Sequence, residues 1–105
     1  MTRRLIVRRK ATADIREARR WYETRQAGLG GEFVAEIDAI FARIQAMPLR
    51  FTEVMPGVRR AFTERFPYAV YFRVDNKRIL VFVVIHTSRD SEVWQQRADE
   101  ELGGS

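Results

Sequence analysis

The sequence has 105 residues, of which 46% are hydrophobic and 31% charged, a composition typical of one soluble globular domain. It contains no cysteine, which excludes disulfides and thiolate metal sites and fits a cytoplasmic location. No apolar run approaches the roughly 20 residues that a membrane-spanning helix needs. The net charge of +5 suggests an acidic partner, either nucleic acid or an acidic protein segment, although many small domains are basic without one.

The chain begins with a short predicted strand that is followed by a predicted helix. Residues 3–8 alternate weakly in polarity and are flanked by Arg and Lys, which is typical of an edge strand. Thr12 is the predicted N-cap of the helix, with Asp14 in its first turn. The helix should bury the apolar residues that recur at helical spacing, which are Ala11, Ile15, Ala18 and Tyr22.

A second helix is predicted after the glycine-rich segment "GLGG", residues 28–31. This segment lacks the spacing of a phosphate-binding loop, so we interpret it as a tight joint between two antiparallel helices. Apolar residues from Leu29 to Ile44 mark the buried face, and Pro48 ends the helix. Residues 48–57 are then predicted to be a connector.

The clearest pattern is a β-hairpin whose polar turn is "DNKR", residues 75–78. A strand over residues 58–64 precedes it. With Asn76 and Lys77 in the loop, the predicted register pairs Val74 with Ile79, Phe72 with Val81, Val70 with Val83, and Tyr68 with Ile85. This apolar face of the hairpin should meet the two helices.

A last helix is predicted to begin at Asp90 or Ser91. We therefore expect one domain over residues 1–98, with residues 99–105 as a flexible tail ending in "GGS". The predicted fold class is α+β: an antiparallel sheet with an N-terminal strand, a two-helix hairpin packed on one face, three further strands and a short C-terminal helix.

The element order and several stretches together resemble the RelE/ParE family of bacterial type II toxins. The stretches are "ADIREARRWY", "GLGGEFVAEIDAI", "FPYAVYFRV" and "ILVFVVIHTSRDSEVW". The resemblance implies a toxin that is neutralised by a cognate acidic antitoxin, in a toxin–antitoxin hetero-oligomer, without a cofactor or metal. It leaves two activities open: ParE-like members poison DNA gyrase by binding it, whereas RelE-like members cut messenger RNA on the ribosome. A third interpretation is that this chain is a degenerate member of the family with no toxicity.

The resemblance to RelE-like nucleases implies catalytic candidates, which are His86, Arg89 and Arg60. RNA cleavage needs a base for the 2′-OH, cations for the phosphorane and an acid for the leaving oxygen. The sequence departs from the nuclease pattern where Ala69 replaces an arginine and Phe62 a lysine. Trp94 replaces the expected tyrosine, and an indole N–H is no general acid. These departures favour a ParE-like protein that acts by binding.

Each candidate also has a structural interpretation. His86 could be a lone general base, but we favour a hydrogen-bonded residue at a strand end. A triad with Ser88 and Asp90 is disfavoured, because on an extended strand the three side chains would point outward in parallel and would not converge. Arg89 could instead belong to a helix cap. Asp14 and Glu17 are expected to be solvated helical neighbours. The predicted contacts with target or antitoxin are Arg59, Arg60, Tyr71, Arg73, Arg89 and Trp94.

Overall fold

The computed structural model describes residues 3–89 and 91–103. Its elements are β1 (Arg4–Val7), α1 (Arg9–Arg25), α2 (Leu29–Ala46), a 3-10 turn (Pro48–Arg50), β2 (Thr52–Met55), β3 (Val58–Phe62), β4 (Tyr68–Val74), β5 (Arg78–His86) and α3 (Ser91–Gly103). The sheet has the strand order β1-β5-β4-β3-β2. β1 runs parallel to β5, and every other neighbouring pair is antiparallel. The predicted α+β architecture is confirmed, and β1 is an edge strand as expected.

The start of α1 differs from the prediction. The helix begins at Arg9, its N-cap is Arg8 in an extended conformation, and no side chain caps it, so the prediction of Thr12 as the N-cap is wrong. The Arg8 N–H still bonds to the Val81 carbonyl at 2.8 Å. Strand pairing therefore fixes Arg8 as the last extended residue, and the helix follows without a capping loop.

The predicted joint between the helices is confirmed. Gly28 adopts a left-handed conformation with φ of 90°, which glycine tolerates without a Cβ clash. The Glu23 carboxylate accepts the N–H groups of Gly28 and Gly30 at 2.9 and 3.0 Å, which closes the N-terminus of α2. A Cβ on Gly30 would lie 2.6 Å from the Arg19 carbonyl oxygen, so the helices approach closely at this point.

The segment predicted as a connector, residues 48–57, contains both the 3-10 turn and β2. β2 pairs with β3 across a tight turn in which Gly57 has a φ of 81°. The sequence of β2 did not predict a strand because only its last two positions are partly buried, which leaves no run of apolar residues.

A β-bulge changes the hairpin register halfway along. The predicted pairs Val74–Ile79 and Phe72–Val81 are confirmed. β5 then holds one extra residue, Phe82, so the two predicted pairs beyond it are wrong. Val70 pairs with Val84 instead of Val83, and Tyr68 pairs with His86 instead of Ile85. Because a one-residue shift exchanges the faces of a strand, Val84 joins the core under α1 and α2, while Val83 and Ile85 face α3.

Helix α3 extends past the domain end expected at residue 98. Residues 99–103 continue the helix, and Glu101 contacts Arg8 and Arg73 on the body of the protein. Residues 104 and 105 lie outside the described part of the chain. Within residues 3–89 and 91–103, no helix combines the length and apolar character that crossing a membrane requires.

Candidate functional site

An open groove of about 470 Å³ lies where β5 ends. β5 continues to His86 beyond Val81, the last residue that pairs with β1, so this end of the strand has no strand neighbour on that side. Helices α1 and α3 come together over the gap and form the groove walls. The polar lining residues are Asp14, Glu17, His86, Ser88, Arg89 and Arg97.

An ion pair between α1 and α3 closes the unpaired edge of β5. Arg97 Nη2 and Nη1 donate to Asp14 Oδ1 and Oδ2 at 2.7 and 3.1 Å. Asp14 Oδ2 also accepts the Val84 N–H at 3.0 Å, and Arg97 Nη1 donates to the Phe82 carbonyl at 3.0 Å. The two side chains thus satisfy backbone groups that a further strand would otherwise satisfy.

The expectation that Asp14 is merely solvated is therefore wrong. A sequence signal was available, because Asp14 lies three residues after Ala11 and four before Ala18 and so shares their buried helical face. A charged residue on that face needs a partner. The identity of the partner, Arg97, could not be predicted, because the two residues are 83 positions apart in the sequence and lie on different helices.

The Nδ1 atom of His86 is engaged by Ser88 within the same chain. Nδ1 accepts the Ser88 backbone N–H at 3.0 Å and lies 2.7 Å from Ser88 Oγ, while the ring meets the Tyr68 ring edge-on at 5.3 Å between centroids. A backbone N–H only donates, so Nδ1 supplies the lone pair and a neutral ring carries its proton on Nε2. The lone pair of the neutral ring is therefore already engaged within the chain, which favours the structural interpretation over a general base.

Arg89 is exposed at the rim of the groove. Its backbone N–H donates to the His86 carbonyl at 2.9 Å, which closes the turn after β5. None of the ion pairs among the described residues includes its guanidinium. Asp90, one of the two predicted starts of the last helix, lies outside the described residues. Arg89 is therefore an exposed cation on the lining of the groove.

Tyr68 lines the groove and is partly buried, and it contacts the buried Tyr22 behind it. Burial, with a smaller contribution from Tyr22, raises the pKa of Tyr68 to about 12, while Arg89 acts in the opposite direction. The Tyr68 hydroxyl is bonded to that of Tyr22, whose own pKa is raised mainly by burial. Both phenols remain neutral at physiological pH, so neither supplies a ready base.

The lips of the groove are apolar. Trp21 on α1 is 51% exposed, and the Arg25 guanidinium lies 4.3 Å from its ring centroid. Val93 on α3 forms the opposite lip and is 38% exposed. Exposed apolar side chains around a polar groove are typical of protein-binding surfaces. The sequence analysis did not connect Trp21 with His86 or Arg89.

Arg60 is not part of the groove. It lies on β3, where it pairs with Tyr71, and its guanidinium covers the Phe62 ring at 4.7 Å. Phe62 is 52% exposed and stands directly opposite Ala69 on β4. This part of the sheet thus presents an apolar pair at the two positions where the nuclease pattern has cations.

The other predicted contact residues are largely occupied within the chain. Tyr71 and Trp94 are buried and stack on each other, with ring centroids 4.6 Å apart. Arg73 Nε donates to Glu101 at 3.1 Å, and Arg59 donates to the Phe51 carbonyl at 2.7 Å. Among residues 3–89 and 91–103, no group of three or more His, Asp or Glu side chains is arranged to hold a metal ion.

Comparison with known proteins agrees with the resemblance found in the sequence. The family described as the ParE toxin of the type II toxin–antitoxin system parDE matches residues 5–91. A search of curated protein sequences finds no significant match.

Three solved structures with a similar fold are described as a toxin–antitoxin system or as toxins of one. A chain of the chromosomal ParDE system from P. aeruginosa is 25% identical, with a TM-score of 0.73 over 81% of this chain and 96% of that one. A mutant of the E. coli toxin RelE in the free state is 13% identical, with a TM-score of 0.67 over 95% of this chain and 98% of that one. The RelE mutant bound to a peptide of its antitoxin is 16% identical, with a TM-score of 0.61 over 91% and 94%. The match of the family over most of the sequence shows that this chain belongs to the ParE toxin family of type II toxin–antitoxin systems.

Proposed function

We propose that this toxin acts by binding DNA gyrase and blocking replication, without catalysis of its own. The observation that carries the proposal is the apolar pair Phe62–Ala69 on the sheet, together with the occupied Nδ1 of His86. An RNA-cleaving centre must stabilise a phosphorane with several converging cations and must hold a base. Of the catalytic candidates, only His86 and Arg89 share the groove.

The groove is suited to binding a protein. Its exposed lips, Trp21 and Val93, offer apolar contact area, and Arg89 offers an exposed cation next to them. Aromatic and arginine side chains are the commonest anchors of protein interfaces. Trp21 and Arg89 are therefore the residues that we assign to target binding.

A supercoiling assay with purified gyrase tests the proposal. The toxin should inhibit supercoiling and accumulate cleaved DNA, and Arg89→Ala should lower its potency by about tenfold, the effect of losing about 1.4 kcal/mol of contact. Arg50→Ala, which removes an exposed arginine outside the groove, is the matched control and should retain full potency. Absence of inhibition and of cleaved DNA at excess toxin would refute the proposal.

The alternative is a RelE-like, ribosome-dependent endoribonuclease. It is favoured by one observation, which is that His86 and Arg89 line the same open groove. Toeprinting on a translated message measures this activity directly. Cleavage that is lost in both Arg89→Ala and His86→Ala would support the nuclease, whereas equal cleavage by these variants and the parent would eliminate this mechanism.

We further propose that a cognate antitoxin with an acidic, amphipathic segment neutralises the toxin in a cytoplasmic hetero-oligomer. The net charge of +5 and the two toxin–antitoxin systems among the similar structures support this partner. The complex should weaken as salt rises, because salt screens attraction between exposed charges. Affinity measured by calorimetry that does not change with salt would contradict the electrostatic part of the proposal.

A further inference from the structure

The opposite end of β5 from the groove carries a dense cluster of positive charge, which we call the hairpin end. It comprises Arg3, Arg4, Lys77 and Arg78 around the single carboxylate of Asp75. Arg4 and Arg78 are direct partners on the parallel strands β1 and β5, and the Arg4 N–H bonds to the Lys77 carbonyl at 3.0 Å. Four cations and one carboxylate leave this end with a net charge of +3.

The carboxylate at the centre is fully engaged. Asp75 Oδ1 accepts the N–H groups of Lys77 and Arg78 at 2.9 and 2.7 Å, and Oδ2 accepts Arg78 Nη2 at 3.0 Å. These backbone N–H groups, and then Arg78, hold the pKa of Asp75 below its ordinary value. Asp75 therefore neutralises Arg78 and fixes the turn, and it leaves the other cations uncompensated.

Two of these cations have no partner among the described residues. No ion pair or side-chain hydrogen bond within residues 3–89 and 91–103 involves the Lys77 ammonium or the Arg4 guanidinium. Among the described residues, the Arg3 guanidinium makes one hydrogen bond, in which its Nε donates to the Asp75 carbonyl at 2.7 Å. The other members of the hairpin end line a shallow surface hollow together with Asn76.

We propose that the hairpin end binds the phosphate backbone of double-stranded nucleic acid. Arg and Lys groups held on rigid strands are the commonest donors to phosphate oxygens. The residues that line the hollow include no aromatic ring, whereas sites for unpaired strands stack bases on aromatic side chains. The chemistry thus fits a duplex backbone better than a single strand.

The hairpin end and the groove are separate surfaces. They lie at opposite ends of β5, whose nine residues span eight steps of about 3.3 Å, a length of about 26 Å. Lys77 and Arg89 therefore belong to different surfaces of the protein. The proposal does not depend on gyrase as the target, and its test contains no gyrase.

The test is the salt dependence of binding to a labelled DNA duplex of about 20 base pairs, measured by fluorescence anisotropy between about 50 and about 200 mM salt. Contact with about three phosphates predicts a slope of log K against log salt of about −2.7. The double variant Arg4→Gln with Lys77→Gln should reduce the slope to about −0.9 and weaken binding by at least about tenfold at low salt.

The matched control is Arg16→Gln with Arg20→Gln, which removes the same charge from exposed positions of α1 and should leave the slope unchanged. Circular dichroism should show that both double variants remain folded, since all four side chains lie outside the core. Equal weakening by the two double variants, or no binding at low salt, overturns the proposal. Tighter binding to a single strand or to a glutamate-rich peptide than to the duplex also overturns it.

Discussion

The two faces of the sheet are held to their helices by different forces. On the face covered by α1 and α2, the contact is an aromatic cluster in which Phe33 packs on Tyr22, Phe66 and Tyr68 with ring centroids 4.9 to 5.5 Å apart. On the face covered by α3, Trp94 and Ala98 are the only buried residues of the helix among those whose burial is described. The first face is built by apolar burial, and the second relies on additional charge pairs.

Those charge pairs lie along α3. Arg97 pairs with Asp14 near the middle of the helix, and Glu101 bonds to Arg8 and Arg73 near its end. Lys10 and Glu100 add an exposed pair at 2.9 Å. Since ion pairs are screened by salt and apolar contacts are not, the two faces should respond differently to mutation and to salt.

The largest effect is expected from Phe33→Ala. Phe33 is fully buried and in contact with three other rings, so its removal should lower the free energy of unfolding by about 3–5 kcal/mol. Chemical denaturation measures this loss. Trp94→Ala is the comparison variant on the other face, and it should increase hydrogen exchange in α3 while exchange in β4 and β5 stays slow. Similar global destabilisation by the two variants would contradict the proposed difference between the faces.

The next largest effect is expected where α1 and α2 approach each other at Gly30. Gly30→Ala places a Cβ 2.6 Å from the Arg19 carbonyl, so the helices must separate, and we expect a loss of about 1–3 kcal/mol in unfolding free energy. Gly31→Ala is the control on the same helix, because no atom lies within 4 Å of its added Cβ. It should be neutral or stabilising by up to about 1 kcal/mol, since alanine favours a helix over glycine. Equal losses would show that the close approach is not the cause.

The α1–α2 face was predictable from the sequence because its signals are local. The apolar residues from Leu29 to Ile44 recur at helical spacing, and the polar turn at residues 75–78 fixes the hairpin where the strands leave it. Each of these signals lies within a few residues of the element that it predicts. The two helices and the hairpin strands were therefore predicted at nearly their observed places.

The groove was only partly predictable because it depends on long-range geometry. The sequence identified His86 and Arg89 as candidates, and they do lie together. It gave no sign of the bulge at Phe82, which shifts the end of β5 by one residue and turns a carbonyl toward Arg97. The alignment of Arg60 with the same site depended on the family pattern, and the structure places Arg60 elsewhere on the sheet.

A smaller effect is expected from Glu101→Gln on the α3 face. The Glu101 side chain is 10% exposed and bonds to two arginines, of which Arg8 is 42% exposed, so solvent screens part of the interaction. We expect a loss of about 1–2 kcal/mol, which shrinks as salt rises. Thermal melts at low and high salt measure it. Glu100→Gln is the exposed control and should lower the melting temperature less than Glu101→Gln, because solvent screens the pair that Glu100 forms with Lys10. A loss for Glu101→Gln that is independent of salt would contradict an electrostatic origin.

The smallest expected effect concerns two glutamates, Glu23 at the α1–α2 joint and Glu100 on α3, whose pKa values are lowered by different causes. The backbone N–H groups of Gly28 and Gly30 lower the pKa of Glu23, whereas the Lys10 ammonium lowers that of Glu100. Each carboxylate thus stabilises the fold above the ordinary pKa of about 4.3 and loses that contribution as the pH falls through its lowered value. Carboxyl carbon NMR titrations should show the pKa of Glu100 returning toward its ordinary value at high salt, while that of Glu23 stays low, because salt screens an exposed ion pair but leaves a fixed hydrogen bond in place. If both pKa values moved together with salt, the joint between α1 and α2 would depend on charge as much as the attachment of α3 does.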